Sequence, residues 1–312
     1  MPDPDAHGLA GARVLVTGAR GFLGGNLCPR LVAEGAQVAA VSRADQPNTT
    51  AGVRWWRCDP EDFAQAEELV RRVEPDVIFH LGGRVSAAPD LAFVLPTFHS
   101  LLTSTANLLT LAARHRCRRV VLVGSLEEPH GEPAEAATPT SPYGAAKWAA
   151  GAYARMFYRL YGCPVVSVRP FMTYGPGQAV DKIIPSTILS LLRRESPRLS
   201  SARRPLDWIY VDDVIEGMMR AATTRGVEGL MIDLGSGSAI PGRDVVESLV
   251  ALIDPSITPQ FGALPDRPGG DVRVADLDTA RALLGWRPTT PLETGLRRTI
   301  AWYRAHHVEC VR

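Results

Sequence analysis

The sequence predicts an α/β protein: a doubly wound parallel sheet over residues 1–170, joined by some later segments, with a smaller lobe made mainly of residues 171–312. Two observations carry that expectation. Six short apolar runs, each the length of one buried strand, alternate with helical stretches between residues 13 and 170. Glycines fall where strand gives way to helix, at Gly18, Gly21 and Gly24 and again at Gly82 and Gly83. After residue 170 the alternation loosens into short segments broken by proline and glycine, with no internal repeat.

The first strand is RVLVT (13–17), and a helix from about residue 26 to Gly35 follows the glycine turn. Glycines in such a turn permit a tight bend, close approach of a pyrophosphate, and close packing of helix on strand. The phosphates then sit on the free N–H groups at the positive end of the helix. Arg20, Phe22 and Leu23 share that turn, and a dinucleotide is the ligand it fits best. The second strand, QVAAVSR (37–43), ends in Ser42-Arg43 where dinucleotide folds usually carry an acid for the adenine ribose. A hydroxyl and a guanidinium suit a 2′-phosphate, so NADP(H) is favoured, with NAD(H) the alternative and a solvated loop charge the bland reading of Arg43. Arg20 is a second partner for that phosphate.

GVRWWRCD (52–59) is the third strand; Asp59 can accept from the adenine amino group, or cap the helix that starts near Pro60. A helix is expected over 62–73, a fourth strand over 76–80, and one long helix over 97–116. The fifth strand, from residue 118, ends at Ser125, where open α/β sheets bind their ligands; a turn-making serine is its alternative.

SPYGAAK (141–147) is the chemical centre. Ser141 and Pro142 start a helix that carries Tyr143 and Lys147 on one face, a turn apart. A free phenol has a pKa of about 10, and a neighbouring ammonium is expected to lower it. The tyrosine then works as acid or base on a substrate carbonyl or hydroxyl while a hydride passes to or from a nicotinamide. The sixth strand covers 164–170. In the C-terminal lobe Lys182, Arg204 and Arg267 offer cations for a diphosphate, or are solvated surface charges.

Composition narrows the function classes. The chain has 312 residues, with 46% hydrophobic and 21% charged content, which is ordinary for a globular protein. A net charge of +1 gives no overall pull toward nucleic acid or acidic membranes. Five scattered cysteines without a C-x-x-C pair speak against a zinc or dithiol site, and no metal is expected. Those thiols, an acidic proline-broken start, and no apolar run near the ~20 residues of a bilayer span point to a soluble cytoplasmic protein.

Taken together these motifs resemble the extended short-chain dehydrogenase/reductases, a Rossmann-type family, in its nucleotide-sugar epimerase, dehydratase and ketoreductase branch. TGARGFLG (17–24) resembles the family's T-G-x-x-G-F-x-G, FHLGG (79–83) its H-L-A-A, Tyr143 and Lys147 its catalytic pair, and residues 169–177 its R-x-x-x-x-Y-G-P-G turn. DWIYVDD (207–213) and LGWRP (284–288) are further landmarks, so the likeness spans nearly the whole chain. The resemblance implies cofactor contacts at Leu81, Gly82, Gly83 and Pro170, a sugar nucleotide held by the C-terminal lobe with Thr173 and Glu128 at hand, and a homodimer joined by the helices near 97–116 and 142–160.

The departures are informative. Counting back from Gly131, the family's catalytic Ser/Thr position falls on Leu126, and Ser125 precedes it. Glu127 and Glu128 stand where 4,6-dehydratases keep an Asp-Glu pair for water elimination, and the run also resembles the G-S-x-E-E of some 4-keto-6-deoxy-sugar reductases. Leu206 replaces a common phosphate-binding arginine, leaving Arg204 to compensate, and Met172 and Thr173 replace an asparagine. The reading is an NADP(H)-dependent 4-ketoreductase with Tyr143, Lys147, Ser125 and Glu127 as its catalytic group. A 4-epimerase is the alternative; a non-catalytic dinucleotide sensor or scaffold, suggested by Leu126, is the alternative of another class.

Overall fold

A computed structural model describes residues 7–46, 51–86, 88–129, 138–266 and 272–306. In chain order its elements are β1 (Arg13–Thr17), α1 (Phe22–Ala33), β2 (Gln37–Ser42), β3 (Val53–Arg57), α2 (Phe63–Val73), β4 (Val77–His80), α3 (Val94–Thr97), α4 (Ser104–Arg114), β5 (Arg119–Val123), α5 (Pro142–Tyr161) and β6 (Val165–Pro170). There follow β7 (Met172–Tyr174), α6 (Ile183–Leu192), β8 (Arg198–Leu199), β9 (Pro205–Tyr210), α7 (Val211–Thr223), β10 (Met231–Leu234), β11 (Ala239–Pro241), α8 (Gly242–Ile253), β12 (Gln260–Phe261), α9 (Leu277–Leu284) and α10 (Leu292–His306).

Two compact units divide the chain. The first comprises Met1–Pro170, Ile215–Asp233 and Thr279–Trp286; the second comprises Phe171–Val214, Leu234–Asp278 and Arg287–Arg312. The first is built on a seven-stranded sheet in the order β10-β6-β5-β4-β1-β2-β3, and the six strands from β6 to β3 run parallel. The order reverses on either side of β1, the mark of a doubly wound sheet. Strands covered on both faces read as unbroken apolar runs, and Leu15, Ile78, Val120, Leu122 and Val165 are accordingly buried in one core. All five residues of β5 are buried, Arg119 included. Its guanidinium is accommodated by Glu228 at 2.7 Å and the Thr224 carbonyl at 2.7 Å.

Two local expectations differ from the structure. The long helix expected over 97–116 begins earlier and is interrupted: α3 passes through a π-helical stretch, Phe98–Thr103, before α4. Pro96 supplies no amide proton there, and the hydroxyls of Ser100 and Ser104 donate back to the carbonyls of Pro96 and Ser100, each at 2.7 Å. The cap of α2 is Asp62, which accepts from the Gln65 amide at 3.1 Å, and Asp59 instead takes the Glu61 amide at 3.1 Å.

In the second unit β9 pairs in parallel with β7 and antiparallel with β11, and β8 pairs with β12. Two buried carboxylates staple this unit. Asp207 accepts the amides of Ser236 (2.5 Å), Gly237 (3.1 Å) and Ala275 (3.0 Å). Asp213 accepts the amides of Thr289 and Thr290, each at 3.0 Å, and the Thr289 hydroxyl at 2.9 Å. Among the described residues no helix is long and apolar enough to cross a membrane, and no group of His, Cys, Asp and Glu is placed to hold a metal ion.

Candidate active site

The ends of β1 and β4 meet the start of α1. Gly18 has φ +68, and a Cβ there would stand 2.6 Å from the Gly82 amide nitrogen, so only glycine fits. Gly24 lies in the first turn of α1, where a Cβ would come within 2.6 Å of the Ala19 Cα. Gly21 occupies the N-cap in extended conformation and brings no side-chain cap, and the first turn holds no acid. The amides of Phe22 and Leu23 thus face an uncapped positive helix end, which suits a pyrophosphate. Arg20 is exposed beside it.

Beneath this turn lies a buried pair that the sequence reading passed over. Thr17 and His80 are register partners on β1 and β4. Thr17 Oγ1 lies 2.7 Å from His80 Nδ1, Ser104 Oγ lies 3.2 Å from Nε2, and the Gly82 amide donates to Thr17 Oγ1 at 3.2 Å. Burial first, and the charge of Lys147 second, hold the imidazole down at about 3, so it is neutral and bridges two hydroxyls. Facing positions just before the two glycines were the available signal. Leu81, Gly82 and Gly83 continue from it, and at Gly83 (φ +147) a side chain would strike Leu101.

At the end of β2, Ser42 Oγ accepts the Ala44 amide at 3.2 Å, and Arg43 is exposed. Asp59, half-buried after β3, completes this side; Ser42 and Arg57 are register partners.

The third group sits where β5 ends and α5 begins. Ser141 caps α5 by accepting the Gly144 amide at 3.1 Å, and Pro142 occupies its first turn. A Cβ on Gly144 would press to 2.5 Å on the Glu127 carbonyl oxygen, so the helix start and the loop after β5 are in close contact. Ser125, Tyr143 and Lys147 come together here, each about 8% exposed. Burial pushes the Tyr143 phenol above 10.0, while a hydrogen bond with the Ser125 side chain pulls it down and the nearby Glu128 and Glu127 push it up. The expected lowering by Lys147 is not what the chain's own groups produce. The ammonium donates to the Val123 carbonyl at 2.7 Å, and burial brings its own pKa down to about 8, against an upward pull from Glu128. Glu127 is exposed, and its amide donates to Ser125 Oγ at 3.1 Å. Glu128, expected to meet substrate, is buried with its carboxylate on the Ser125 amide at 2.6 Å.

Pro170 closes β6 in the first unit. The remaining expected residues belong to the second unit. Thr173 donates to the Phe171 carbonyl at 3.0 Å, Lys182 stands exposed at the N-cap of α6 with Asp181 at 3.8 Å, and Arg204 is exposed before β9. Arg267 lies outside the described residues.

Comparison with known proteins finds relatives along nearly the whole chain. The family model described as "NAD dependent epimerase/dehydratase family" matches residues 14–235. A probable dTDP-glucose 4,6-dehydratase of Sinorhizobium fredii is 30% identical, over 93% of this chain and 92% of its own. A UDP-glucose 4-epimerase of Mycolicibacterium smegmatis is 29% identical, over 94% and 98%. The solved structure of a Thermus thermophilus UDP-glucose 4-epimerase in complex with NAD superposes with a TM-score of 0.82 at 25% identity, covering 94% of this chain and 99% of that one.

Proposed function

The chain belongs to the NAD dependent epimerase/dehydratase family, enzymes of the extended short-chain dehydrogenase type, and on that premise we propose that it reduces the C4 carbonyl of a nucleotide-linked keto sugar with NADP(H). The observation that carries this reading is the buried Ser125–Tyr143–Lys147 group, whose phenol is held above its ordinary pKa. A phenol that keeps its proton at neutral pH is ready to act as an acid, which is what reduction of a carbonyl asks for first. Ser125 holds the carbonyl oxygen beside Tyr143, the Tyr143 hydroxyl gives up its proton to it, and Lys147 stabilises the phenolate left behind. A bound nicotinamide supplies the hydride. The uncapped start of α1 would hold the pyrophosphate, and Ser42 with Arg43 and Arg20 would take the adenine-ribose phosphate. Thr173, Lys182, Arg204 and Arg267 of the second unit are the proposed contacts for the sugar nucleotide.

A 4-epimerase is the second reading, favoured by the likeness to the two UDP-glucose 4-epimerases. It oxidises and re-reduces C4 on a retained cofactor. NADPH consumption with a panel of 4-keto sugar nucleotides, wild type against Tyr143→Phe, separates the two. Stoichiometric consumption that falls by roughly 100- to 10,000-fold in the variant supports reduction. Interconversion of C4 epimers without net consumption, on cofactor carried through purification, refutes it.

The exposed apolar side chains Leu91, Leu95, Phe98 and Tyr153 support the homodimer. Sedimentation of Leu95→Glu tests it, with a shift to monomer expected and an unchanged mass against it.

A further inference from the structure

Glu128 is an acid in an unusual place. It is 4% exposed, its Oε1 accepts the Ser125 amide at 2.6 Å, and it fills the space that a side chain on Gly124 would take. A Cβ on Gly124 would stand 2.6 Å from Oε1, and one on Gly151 would stand 3.7 Å from Oε2. The carboxylate therefore lies under the end of β5, over the bare stretch of α5, with the Met231 side chain closing the space from β10. The residues it touches are those that shape the site. Ser125 is the hydrogen-bond partner of Tyr143, and Lys147 reaches the Val123 carbonyl two residues before Ser125.

We propose that Glu128 is a positioning residue of the active site: its carboxylate sets the Ser125 backbone and keeps the Lys147 ammonium charged in its buried position. The proposal rests on the reading of Tyr143, Lys147 and Ser125 given above. Its physical basis is that a buried ammonium is costly unless an anion accompanies it. Lys147 is already brought down to about 8 by burial, and Glu128 is the group that pulls it back up. Among the described residues, ionisable groups facing this region include Tyr143, Lys147 and Arg155 from α5, the neighbouring Glu127, and His80 of β4, which is neutral.

The chain offers a direct readout, because Lys147 and Lys182 are its only lysines. Protein labelled with carbon-13 at the lysine ε position gives two titrating signals, and Lys182→Arg identifies that of Lys147. Glu128→Gln keeps an acceptor for the Ser125 amide and removes the charge; Glu128→Asp keeps the charge and shortens the reach. The expected result is a Lys147 midpoint near 8 in the wild type, lower by about one pH unit in Glu128→Gln, and close to wild type in Glu128→Asp. An alkaline limb of kcat that moves to lower pH in Glu128→Gln accompanies it. A Glu128→Gln that does not fold, beside a folded Glu128→Asp with an unshifted Lys147, also supports the requirement for charge. An unmoved midpoint in folded Glu128→Gln, an equal fall in both variants, or failure of both to fold overturns the proposal. A wild type without turnover refutes the reductase reading alone, since the lysine titration does not depend on activity.

Discussion

Replacing Ser125 with alanine removes the hydroxyl that lowers the Tyr143 phenol pKa and is proposed to hydrogen-bond the reacting oxygen. A hydrogen bond to a group that becomes charged is worth about 1.5–3 kcal/mol. At about 1.4 kcal/mol per factor of ten, kcat for the proposed reduction should fall by roughly 10- to 100-fold. The cost to stability should be small, because the hydroxyl's other partner is the amide of the exposed Glu127, which can turn to water. The pH profile carries a second signature. Ser125 pulls the phenol pKa down, so its loss lets the pKa rise further. Reduction needs the protonated phenol, which keeps its proton well past the Lys147 midpoint near 8, so the alkaline fall in kcat should stay in place while the plateau drops. The assay is kcat against pH for NADPH oxidation with a 4-keto sugar nucleotide, with thermal denaturation as a check on folding. Leu126→Ser completes the test: added to Ser125→Ala it should leave the rate low. A wild-type rate in Ser125→Ala, or full rescue by Leu126→Ser, would refute the assignment of the hydroxyl to Ser125.

Arg43→Asp places a negative charge where a 2′-phosphate is expected, and the ratio of kcat/KM for NADPH over NADH should fall by roughly 10- to 100-fold; an unchanged ratio removes Arg43 from the cofactor site. His80 refuses a proton down to about 3 in the folded chain but accepts one near 6.5 when unfolded. Its contribution to stability is therefore present above pH 6.5 and is lost as pH falls towards 3, at about 1.4 kcal/mol per pH unit. Urea unfolding at pH 7 and pH 5 should show a smaller difference for His80→Asn than for wild type, and equal differences would contradict this. Asp207→Ala strands the amides of Ser236, Gly237 and Ala275 and should destabilise the second unit by about 3–5 kcal/mol, read as a lower Tm. A Tm within 2 °C or so of wild type would mean that the staple carries little.

The strands of the first unit were legible because both faces of a parallel sheet are covered, so each strand announces itself as an apolar run. Ser141-Pro142 and the three glycines were legible for the same local reason, since a cap and a positive φ are properties of one or two residues. What stayed hidden depends on partners far away in the chain. The π-helical stretch of Phe98–Thr103 ends against Ser104, whose hydroxyl meets His80 of another strand. Arg119 reads as a charge at the start of a strand, and Glu228 and Thr224, about a hundred positions on, make its burial acceptable. The resemblance gave Glu127 a catalytic part and Glu128 a substrate contact, yet the first is exposed and the second is buried.

That separation bears on the chemistry the family offers this chain. Elimination of water from a sugar needs a proton donor and a proton acceptor together on the substrate, the part an Asp-Glu pair plays in the family's dehydratases. Here the first of the two positions is an exposed glutamate. The second has one oxygen committed to the Ser125 amide, in room left by the missing side chain of Gly124. To reach a substrate, Glu128 would have to leave that amide bare and withdraw its charge from Lys147, costs that fall on the residues proposed for hydride chemistry. The proposed reduction at C4 makes no such demand, because the single proton it assigns comes from Tyr143 and Glu128 keeps the place proposed for it beside Lys147. Glu128→Gln should therefore change where the site titrates, and an enzyme that used Glu128 as its base would lose nearly all turnover at every pH instead.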